Sequence, residues 1–161
     1  MERMDLTFKT EQGKFNYRVG AIIIHDNKLL MVKNNKAPYF YSVGGRVKLH
    51  ESAEEAVVRE VYEETGTYME IERLGFVHEN FFTEDVTKER FHELSFFFYM
   101  KDMKDMDALN TICMSFTEDG AKEELQWIPL DKIANVYLYP EFFKEKLSNQ
   151  SATVEHILTK E

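Results

Sequence analysis

Three glutamates in one short segment have the spacing that chemistry on a phosphorylated compound needs. Glu60 lies three residues before Glu63 and four before Glu64, so a helix would project all three carboxylates to one side. Like charges at this spacing repel, at a cost of roughly a few tenths of a kcal/mol per pair. Such a face is either well solvated or supplies ligands to a cation, and Mg2+ commonly shares its coordination between carboxylates and substrate phosphates. The spacing therefore indicates a divalent-cation site and a phosphorylated substrate.

The flanking residues predict the helix that positions these carboxylates. Ser52 and Glu55 form an S-x-x-E capping box, which marks where the helix begins. Good helix formers continue to Thr65, and Gly66 is suited to end the helix as a C-cap. The pair Gly44-Gly45 upstream predicts a glycine turn that leads into the site.

Arg59 is the cation best placed to support the acidic face. It lies four residues after Glu55 and four before Glu63, so both carboxylates are within its reach on a helix. We expect Arg59 to brace this face without neutralising it.

The segment 45–67 resembles the Nudix box. The pattern G-x5-E-x7-R-E-V-x-E-E-x-G is complete, and Thr67 stands where the family usually has an aliphatic residue. So many identities at fixed offsets are far more specific than a lone glycine-rich loop, and they favour a metal site over a solvated face. The matching residues are Gly45, Glu51, Arg59, Glu60, Val61, Glu63, Glu64 and Gly66.

The resemblance implies a fold and an activity. The implied fold is α/β, the Nudix fold, in which a mixed β-sheet is sandwiched between helices as an α/β/α sandwich, with residues 1–161 forming a single domain. The implied activity is Mg2+- or Mn2+-dependent hydrolysis of a diphosphate bond, in a nucleoside diphosphate linked to another moiety or in a nucleoside triphosphate. Such ions suit this reaction because they acidify bound water and neutralise charge on the bridging oxygen.

The resemblance also assigns roles at the site. Glu60 and Glu64 are expected to bind the metal directly, Glu63 to bind it or to orient a ligand, and Glu51 to act through water. Arg59 is expected to hold these groups in place, because supporting contacts of this kind commonly govern metal affinity. The predicted metal set is Gly44 (through its carbonyl), Glu51, Glu60, Glu63 and Glu64.

The sequence leaves the general base open. Some relatives take it from the box, where Glu63 and Glu64 are predicted to be catalytic, and others from a glutamate in the loop before a later strand. That loop, 115–124, contains Glu118 and Glu123, which are both candidates. The alternative is that each is a solvated loop charge, because a base must reach the attacking water.

Substrate contacts are predicted on both sides of the glycine pair. Arg46 and Lys48 follow it and are candidates for phosphate contacts, with surface charge as the alternative. Tyr39, Phe40 and Tyr41 precede it and could stack on a base, and Tyr39 is the predicted substrate contact. The alternative is that these aromatic residues belong to the core, and strand alternation would send Phe40 to the opposite face from Tyr39 and Tyr41. The residues that mark an ADP-ribose or a dinucleoside polyphosphate specificity in relatives are absent, since no proline lies between Pro38 and Pro129 and the tyrosine position has Phe81 and Phe82.

The composition narrows the class of protein. The chain has 161 residues, 43% of them hydrophobic and 14% aromatic, which predicts one ordered domain with a sizeable core. Its net charge of −9 disfavours a nucleic-acid or anionic-membrane partner. Cys113 is the single cysteine, so no intramolecular disulfide can form, and no apolar run has the length of a spanning helix. A cytoplasmic location is the expected default.

Hydrophobic patterning and turn residues predict the remaining elements. A hairpin is expected around Asp26-Asn27, and further helices are expected in the last quarter of the chain. The predicted strands are Phe15–His25, Lys28–Lys33, Tyr39–Val43, Tyr68–Phe82, Phe91–Met100 and Glu124–Ile128. The predicted C-terminal helices are Asp131–Ala134, Pro140–Leu147 and Ser151–Leu158.

Two other functions are consistent with the sequence. The first is a Nudix-fold ligand-binding or regulatory module without turnover, which loss of box carboxylates would favour; none is lost here. The second is an acidic interaction domain whose contact is the amphipathic helix Ser151–Leu158. That helix could equally complete a homodimer.

Overall fold

A computed structural model of the chain describes residues 2–103, 105–106, 112–116 and 120–161. Within these residues, the strands form one mixed sheet and the helices lie against its faces. The strands are β1 (Thr7–Thr10), β2 (Gly13–Ile22), β3 (Ile24–His25), β4 (Lys28–Asn34), β5 (Phe40–Arg46), β6 (Ile71–Thr83), β7 (Arg90–Met100), β8 (Ile112–Phe116), β9 (Lys122–Pro129), β10 (Leu138–Tyr139) and β11 (Glu155–Lys160). The helices are α1 (Ala53–Thr65), α2 (Phe143–Lys146) and a 3-10 helix (Leu130–Asn135).

The sheet has the strand order β11-β6-β7-β2-β5-β4-β9-β8, with β1 beside β2, β3 beside β4 and β10 beside β5. Three pairs are parallel: β2 with β7, β5 with β10, and β6 with β11. The β3–β4 hairpin turns at Asp26-Asn27, where both residues have positive φ angles of 51° and 60°. Positive φ at both central residues is what a two-residue type I′ turn requires. The hairpin predicted from the sequence is therefore confirmed.

A hydrophobic core lies on each face of the sheet. Helix α1 covers one face, and the 3-10 helix and α2 cover the other. Both cores are built from alternate residues of the same strands, because successive side chains of a strand point to opposite faces. The α1 core includes Val19, Val43, Val57, Val61 and Phe98. The opposite core includes Phe76, Phe97, Ile133, Leu138 and Phe143. The mixed sheet between helices, predicted as an α/β/α sandwich, is confirmed.

Local signals in the sequence account for both ends of α1. The Ser52 side chain accepts a hydrogen bond from the Glu55 N–H, and the Glu55 side chain accepts one from the Ser52 N–H, so the capping box is formed. At the other end Gly66 has a φ of 76° and its N–H donates to the Tyr62 carbonyl. The predicted bounds of this helix are confirmed, and they determine which of its side chains face the site.

The predicted glycine turn at Gly44-Gly45 is wrong. Both residues belong to β5, where Gly44 lies opposite Gly20 and Gly45 opposite Val19 on β2. The strand therefore continues three residues beyond the predicted end at Val43. Pairing with β2 keeps these residues in a strand, and the local sequence does not show this pairing.

The predicted helix Ser151–Leu158 is also wrong. Residues 151–154 form neither helix nor strand, and from Glu155 onward the chain forms β11, which pairs in parallel with β6 at the edge of the sheet. Ile157 packs against the core, whereas Val154 and Leu158 are exposed. The backbone hydrogen bonds offered by the free edge of β6 outweigh helical periodicity here, because tertiary pairing overrides weak local propensity. The helix that was expected to contact a partner or a second copy therefore does not exist, and the homodimer stays a prediction without that contact.

Smaller differences concern element ends. The strand predicted from Tyr68 begins at Ile71, and of the predicted helix Pro140–Leu147 only α2 is helical. The predicted helix Asp131–Ala134 lies within the 3-10 helix. No helix in the described ranges is long and apolar enough to cross a membrane.

His78 on β6 leads to a prediction about stability and pH. It is 4% exposed, its Nε2 lies 2.9 Å from the Thr159 Oγ1, and burial lowers the pKa of its imidazole to about 4. Between that pKa and the ordinary value of about 6.5, the unfolded chain binds more protons than the folded chain. Folding stability should therefore fall by about 2 to 3 kcal/mol through this group as the pH drops from 7 to 4.5.

Urea unfolding at pH 7 and at pH 4.5 measures this loss. The control is His78→Gln, which keeps a polar side chain but cannot take up a proton. We expect the variant to lose less stability than the wild type over the same interval. Equal losses would show that His78 is not held neutral by burial.

Candidate active site

The acidic side of α1 meets β5 at its two glycines. A Cβ atom on Gly45 would lie 2.4 Å from the Glu60 Oε1, a distance that real side chains do not adopt. Gly44 has a φ of 154°, which side chains disfavour, and a Cβ there would lie 2.1 Å from the Val19 carbonyl oxygen. The Gly44 N–H donates to the Glu64 Oε2 at 3.0 Å. Glycine at position 45 therefore lets the Glu60 carboxylate approach the strand, and glycine at position 44 allows the backbone conformation and the close approach of β2 at the residue whose N–H binds Glu64.

Glu64 lies at the centre of this contact. It is 5% exposed, and it forms no ion pair with a lysine or arginine in the part of the chain that the structure describes. Burial raises the pKa of Glu64 well above its ordinary value, and the negative charges of Glu60 and Glu123 raise it further. A carboxylate in this setting is strongly disfavoured unless a cation compensates it.

Glu123 joins the site from β9, a strand between β4 and β8, and not from a loop as the sequence predicted. It is 6% exposed and accepts a hydrogen bond from the Tyr41 hydroxyl. Burial and this hydrogen bond raise the pKa of Tyr41 above its ordinary value, so Tyr41 remains a donor. Of the two loop glutamates predicted as general bases, the structure brings Glu123 to the carboxylates, and Glu118 lies outside the described residues.

The contact between Tyr41 and Glu123 could not be predicted from the sequence. The sequence indicates Tyr41 only as one of three aromatic residues, with Tyr39 and Phe40, that could stack on a base. Its position two residues before Val43 places it on the α1 face of β5, because strand side chains alternate. That alternation was visible in the sequence, but the partner Glu123 lies 82 residues away and was not.

Arg59 connects three of the box glutamates. Its Nε and Nη2 donate to the two Glu51 carboxylate oxygens at 2.7 and 3.0 Å, and its Nη1 donates to Glu60 at 2.9 Å and to Glu63 at 3.2 Å. Nη2 also donates to the Arg46 carbonyl at 3.0 Å, which links α1 to β5. The predicted bracing role is thus located, with one correction: Arg59 reaches Glu51 and not Glu55, whose carboxylate is used by the capping box.

The contacts of Glu51 show how this hub is held. Burial alone would raise the pKa of Glu51, but hydrogen bonds from Arg59 and from the Lys48 N–H outweigh it, so its pKa lies below the ordinary value. The Arg59 guanidinium is stabilised in turn, because the hydrogen bond to Glu51 raises its pKa further. Both Glu51 oxygens are engaged in this way, so Glu51 positions Arg59. Its water-mediated role at a metal stays a prediction.

The oxygen-rich composition of the site fits a hard divalent cation. Within the described ranges, no three His, Cys, Asp or Glu side chains already form a complete ligand set. Glu60 and Glu63 both turn toward Arg59. Burial raises the pKa of Glu60, and the hydrogen bond and charge of Arg59 offset only part of this rise. Carboxylate oxygens are the ligands that Mg2+ prefers. A bound cation would compensate the charge of the buried Glu64, whose pKa is raised by burial and by the neighbouring charges of Glu60 and Glu123.

The predicted substrate contacts are dispersed. Arg46 lies opposite Arg18 on β2, and its side chain is on the face away from α1, 3.8 Å from Asp5. The backbone of Lys48 pairs with that of Asp5 in an isolated antiparallel β-bridge, and the Lys48 N–H donates a hydrogen bond to Glu51. Tyr39 lies just before β5 and packs against Tyr137 and Tyr139. The structure therefore does not bring Arg46 to the carboxylates, and the phosphate contacts of Arg46 and Lys48 stay predictions.

Comparison with known proteins decides the family. The sequence model of the NUDIX domain matches residues 14–148, which is most of the chain. The chain belongs to the NUDIX family. Its segment 45–67 is therefore a Nudix box within a NUDIX domain, and the resemblance found from the sequence is confirmed.

Two curated proteins are similar to this NUDIX chain over short segments. An ADP-ribose pyrophosphatase from Methanocaldococcus jannaschii is 44% identical over 59 residues, which cover 35% of each protein. A Bacillus subtilis protein provisionally named 8-oxo-dGTP diphosphatase is 47% identical over 53 residues, which cover 31% of this chain and 36% of that protein. The chain thus matches only about a third of the length of either relative.

Solved structures agree with the NUDIX fold over nearly the whole chain. A MutT protein from Bacillus halodurans superposes with a TM-score of 0.63 at 13% identity and covers 90% of both chains. A MutT protein from Methanosarcina mazei superposes with a TM-score of 0.56 at 23% identity, covering 85% of this chain and 92% of that one. At these identities the likeness concerns the fold alone.

Proposed function

We propose that this NUDIX chain is a Mg2+-dependent hydrolase, with Mn2+ as an alternative ion. It cleaves a diphosphate bond in a nucleoside diphosphate linked to another moiety or in a nucleoside triphosphate, and residues 1–161 act as a single domain. The observation that carries the proposal is the buried Glu64, which lies among the charges of Glu60 and Glu123 and forms no ion pair with a lysine or arginine among the described residues, while the Arg18 charge only partly offsets the rise in its pKa. Nudix hydrolases generally use divalent metal ions, and this cluster provides the carboxylates for one.

The proposed metal ligands are the carboxylates of Glu60 and Glu64, with Glu63 as a further ligand or an orienting group. The Gly44 carbonyl is a candidate because of the hydrogen-bonding pattern of β5. The Val47 N–H donates to the Tyr17 carbonyl across the β2–β5 pair, and bonded pairs alternate along antiparallel strands. The Gly44 carbonyl therefore points away from β2, on the same side as the N–H that binds Glu64.

The bound ion would acidify the attacking water and neutralise charge that develops on the bridging oxygen. Arg59 keeps Glu60 and Glu63 at the site through the contacts it makes with both. Glu123 is our candidate for the general base, because it lies close enough to Glu64 for its charge to add to the effect of burial on the pKa of Glu64. The Tyr41 hydroxyl holds the Glu123 carboxylate in place.

The relatives support the reaction class and leave two substrate classes open. One is named for ADP-ribose, a nucleoside diphosphate with a second moiety, and the other for an oxidised deoxynucleoside triphosphate. Both names describe cleavage of a phosphoanhydride. A binding module without turnover is the second candidate, but the intact carboxylates of the box give it no specific support.

A hydrolysis panel tests the proposal. The wild type is incubated with Mg2+ and ADP-ribose, nucleotide sugars, dinucleoside polyphosphates or nucleoside triphosphates, and phosphate-containing products are measured. Glu63→Gln and Glu64→Gln are the test variants, and Glu54→Gln is the matched control, since Glu54 is exposed on the same helix. We expect turnover of one class that depends on Mg2+ and is lost in Glu64→Gln. If the wild type hydrolysed none of these substrates, the result would contradict the hydrolase proposal and favour a binding module.

A further inference from the structure

A cluster of three tyrosines lies beside the proposed site. Tyr39, Tyr137 and Tyr139 form a tyrosine platform in which every ring contacts the other two, with centroids 5.0 to 5.8 Å apart. Tyr137 is 51% exposed and Tyr139 is 42% exposed, although both have aromatic neighbours to pack against. A hydrogen bond with Tyr137, followed by burial, raises the pKa of Tyr139 to about 12. The rings therefore hold each other in place while presenting surface to solvent.

The platform is on the same face of the sheet as the carboxylates. Leu138 of β10 is buried in the core opposite α1, so its neighbours Tyr137 and Tyr139 point to the α1 face. Tyr139 lies in register with Tyr41 on β5. Tyr41 is the residue whose hydroxyl binds Glu123. The platform residue Tyr139 is therefore the direct cross-strand neighbour of Tyr41, which in turn contacts Glu123 of the carboxylate cluster.

Ordinary core packing does not account for this arrangement. Aromatic residues stabilise a fold by burying their rings, and two of these rings remain about half exposed. Exposed aromatic faces beside a site for phosphates are suited to a nucleobase, because every base has a π-face that can stack on an aromatic side chain. The carboxylate cluster, with its cation, would hold the charged end of the same molecule.

We propose that the tyrosine platform stacks the base of the substrate while its diphosphate lies at Glu60, Glu64 and Glu123. This inference rests on the proposed function and makes it more specific, since it names the side chains that hold the base of the substrate. Of these three rings, only Tyr39 was predicted from the sequence to stack on a base. The other two rings come from a segment about a hundred residues later, which only the β5–β10 pairing brings alongside.

The test compares a probe that carries a nucleoside with one that lacks it. Adenosine 5′-(α,β-methylene)diphosphate and methylenediphosphonate carry the same non-hydrolysable linkage, and calorimetry in Mg2+ measures the affinity of the protein for each. We expect the wild type to prefer the nucleoside probe. In Tyr137→Leu/Tyr139→Leu this preference should fall roughly tenfold or more, while the affinity for methylenediphosphonate stays unchanged.

The matched control is Tyr62→Leu/Tyr68→Leu, which removes another exposed tyrosine pair, stacked at a centroid distance of 4.0 Å near the end of α1. This control should keep the preference. Single Tyr137→Leu serves if the double variant unfolds early in a thermal melt, and it should lose part of the preference. A wild type that binds both probes equally, or a platform variant that keeps its preference, would overturn the inference.

The two proposals fail in different ways. If the protein hydrolyses panel substrates but shows no preference for the nucleoside probe, the proposed role of the platform is wrong and the hydrolase proposal stands. If the protein hydrolyses no panel substrate but prefers the nucleoside probe, and this preference depends on the platform, the hydrolase proposal is wrong and the protein is a nucleotide-binding module. Absence of binding to either probe would count against both.

Discussion

Replacing Glu64 with glutamine is expected to lower turnover by more than about 100-fold, because loss of groups that merely support a metal ligand already costs roughly 10- to 100-fold. The substitution removes the charge of a proposed ligand and keeps its shape. A glutamine oxygen can still accept the Gly44 N–H, so the helix–strand contact should persist. Steady-state hydrolysis of the best panel substrate in saturating Mg2+ measures the effect.

The stability of the same variant provides a second readout. Glu64 is a buried carboxylate whose pKa is raised by burial and by the charges of Glu60 and Glu123, so its removal relieves repulsion in the metal-free protein. The metal-free melting temperature should therefore not fall, whereas the upward shift that Mg2+ produces in the wild type should be lost. Glu54→Gln should keep both activity and the Mg2+ shift. Full activity of Glu64→Gln would show that Glu64 is not a ligand.

The box helix could be predicted because its determinants are local. Ser52 and Glu55 satisfy each other across one turn, and Gly66 ends the helix with a backbone angle that other residues disfavour. The spacing of Glu60, Glu63 and Glu64 then follows from helical geometry. For this reason the bounds of α1 and the identity of its acidic face were correct without any knowledge of the rest of the chain.

Features that depend on distant partners could not be predicted in the same way. The segment at Ser151–Leu158 has helical periodicity, and only the free edge of β6 makes it a strand. Arg59 is spaced to reach Glu55, yet it binds Glu51, because Glu55 is already used by the cap and the chain before the helix folds back beside it. Tyr41 acquires its role from Glu123, and that contact depends on the pairing of β4 with β9.

Arg59→Ala is expected to impair both stability and turnover. The guanidinium is the cation that contacts Glu51, Glu60 and Glu63, and Glu51 and Glu60 have side chains only 8% and 15% exposed. Removing one partner of a buried ion pair leaves an uncompensated charge, which should lower the free energy of unfolding by about 2 to 4 kcal/mol in this partly exposed hub. Turnover should fall roughly 10- to 100-fold, because Glu60 and Glu63 lose the group that positions them.

Arg59→Lys separates charge from geometry in this prediction. Lysine keeps a positive charge but lacks the planar fork that donates to both Glu51 oxygens and to Glu60 at once. We expect it to recover part of the lost stability and little of the turnover, because compensating the buried charge needs only a cation, whereas positioning Glu60 and Glu63 needs the fork. Urea unfolding and Mg2+ titration of activity, performed on all three proteins, measure the two effects separately. If Arg59→Lys restored turnover fully, charge alone would be sufficient and the positioning role would be wrong; if Arg59→Ala unfolded like the wild type, the hub would contribute nothing to the fold.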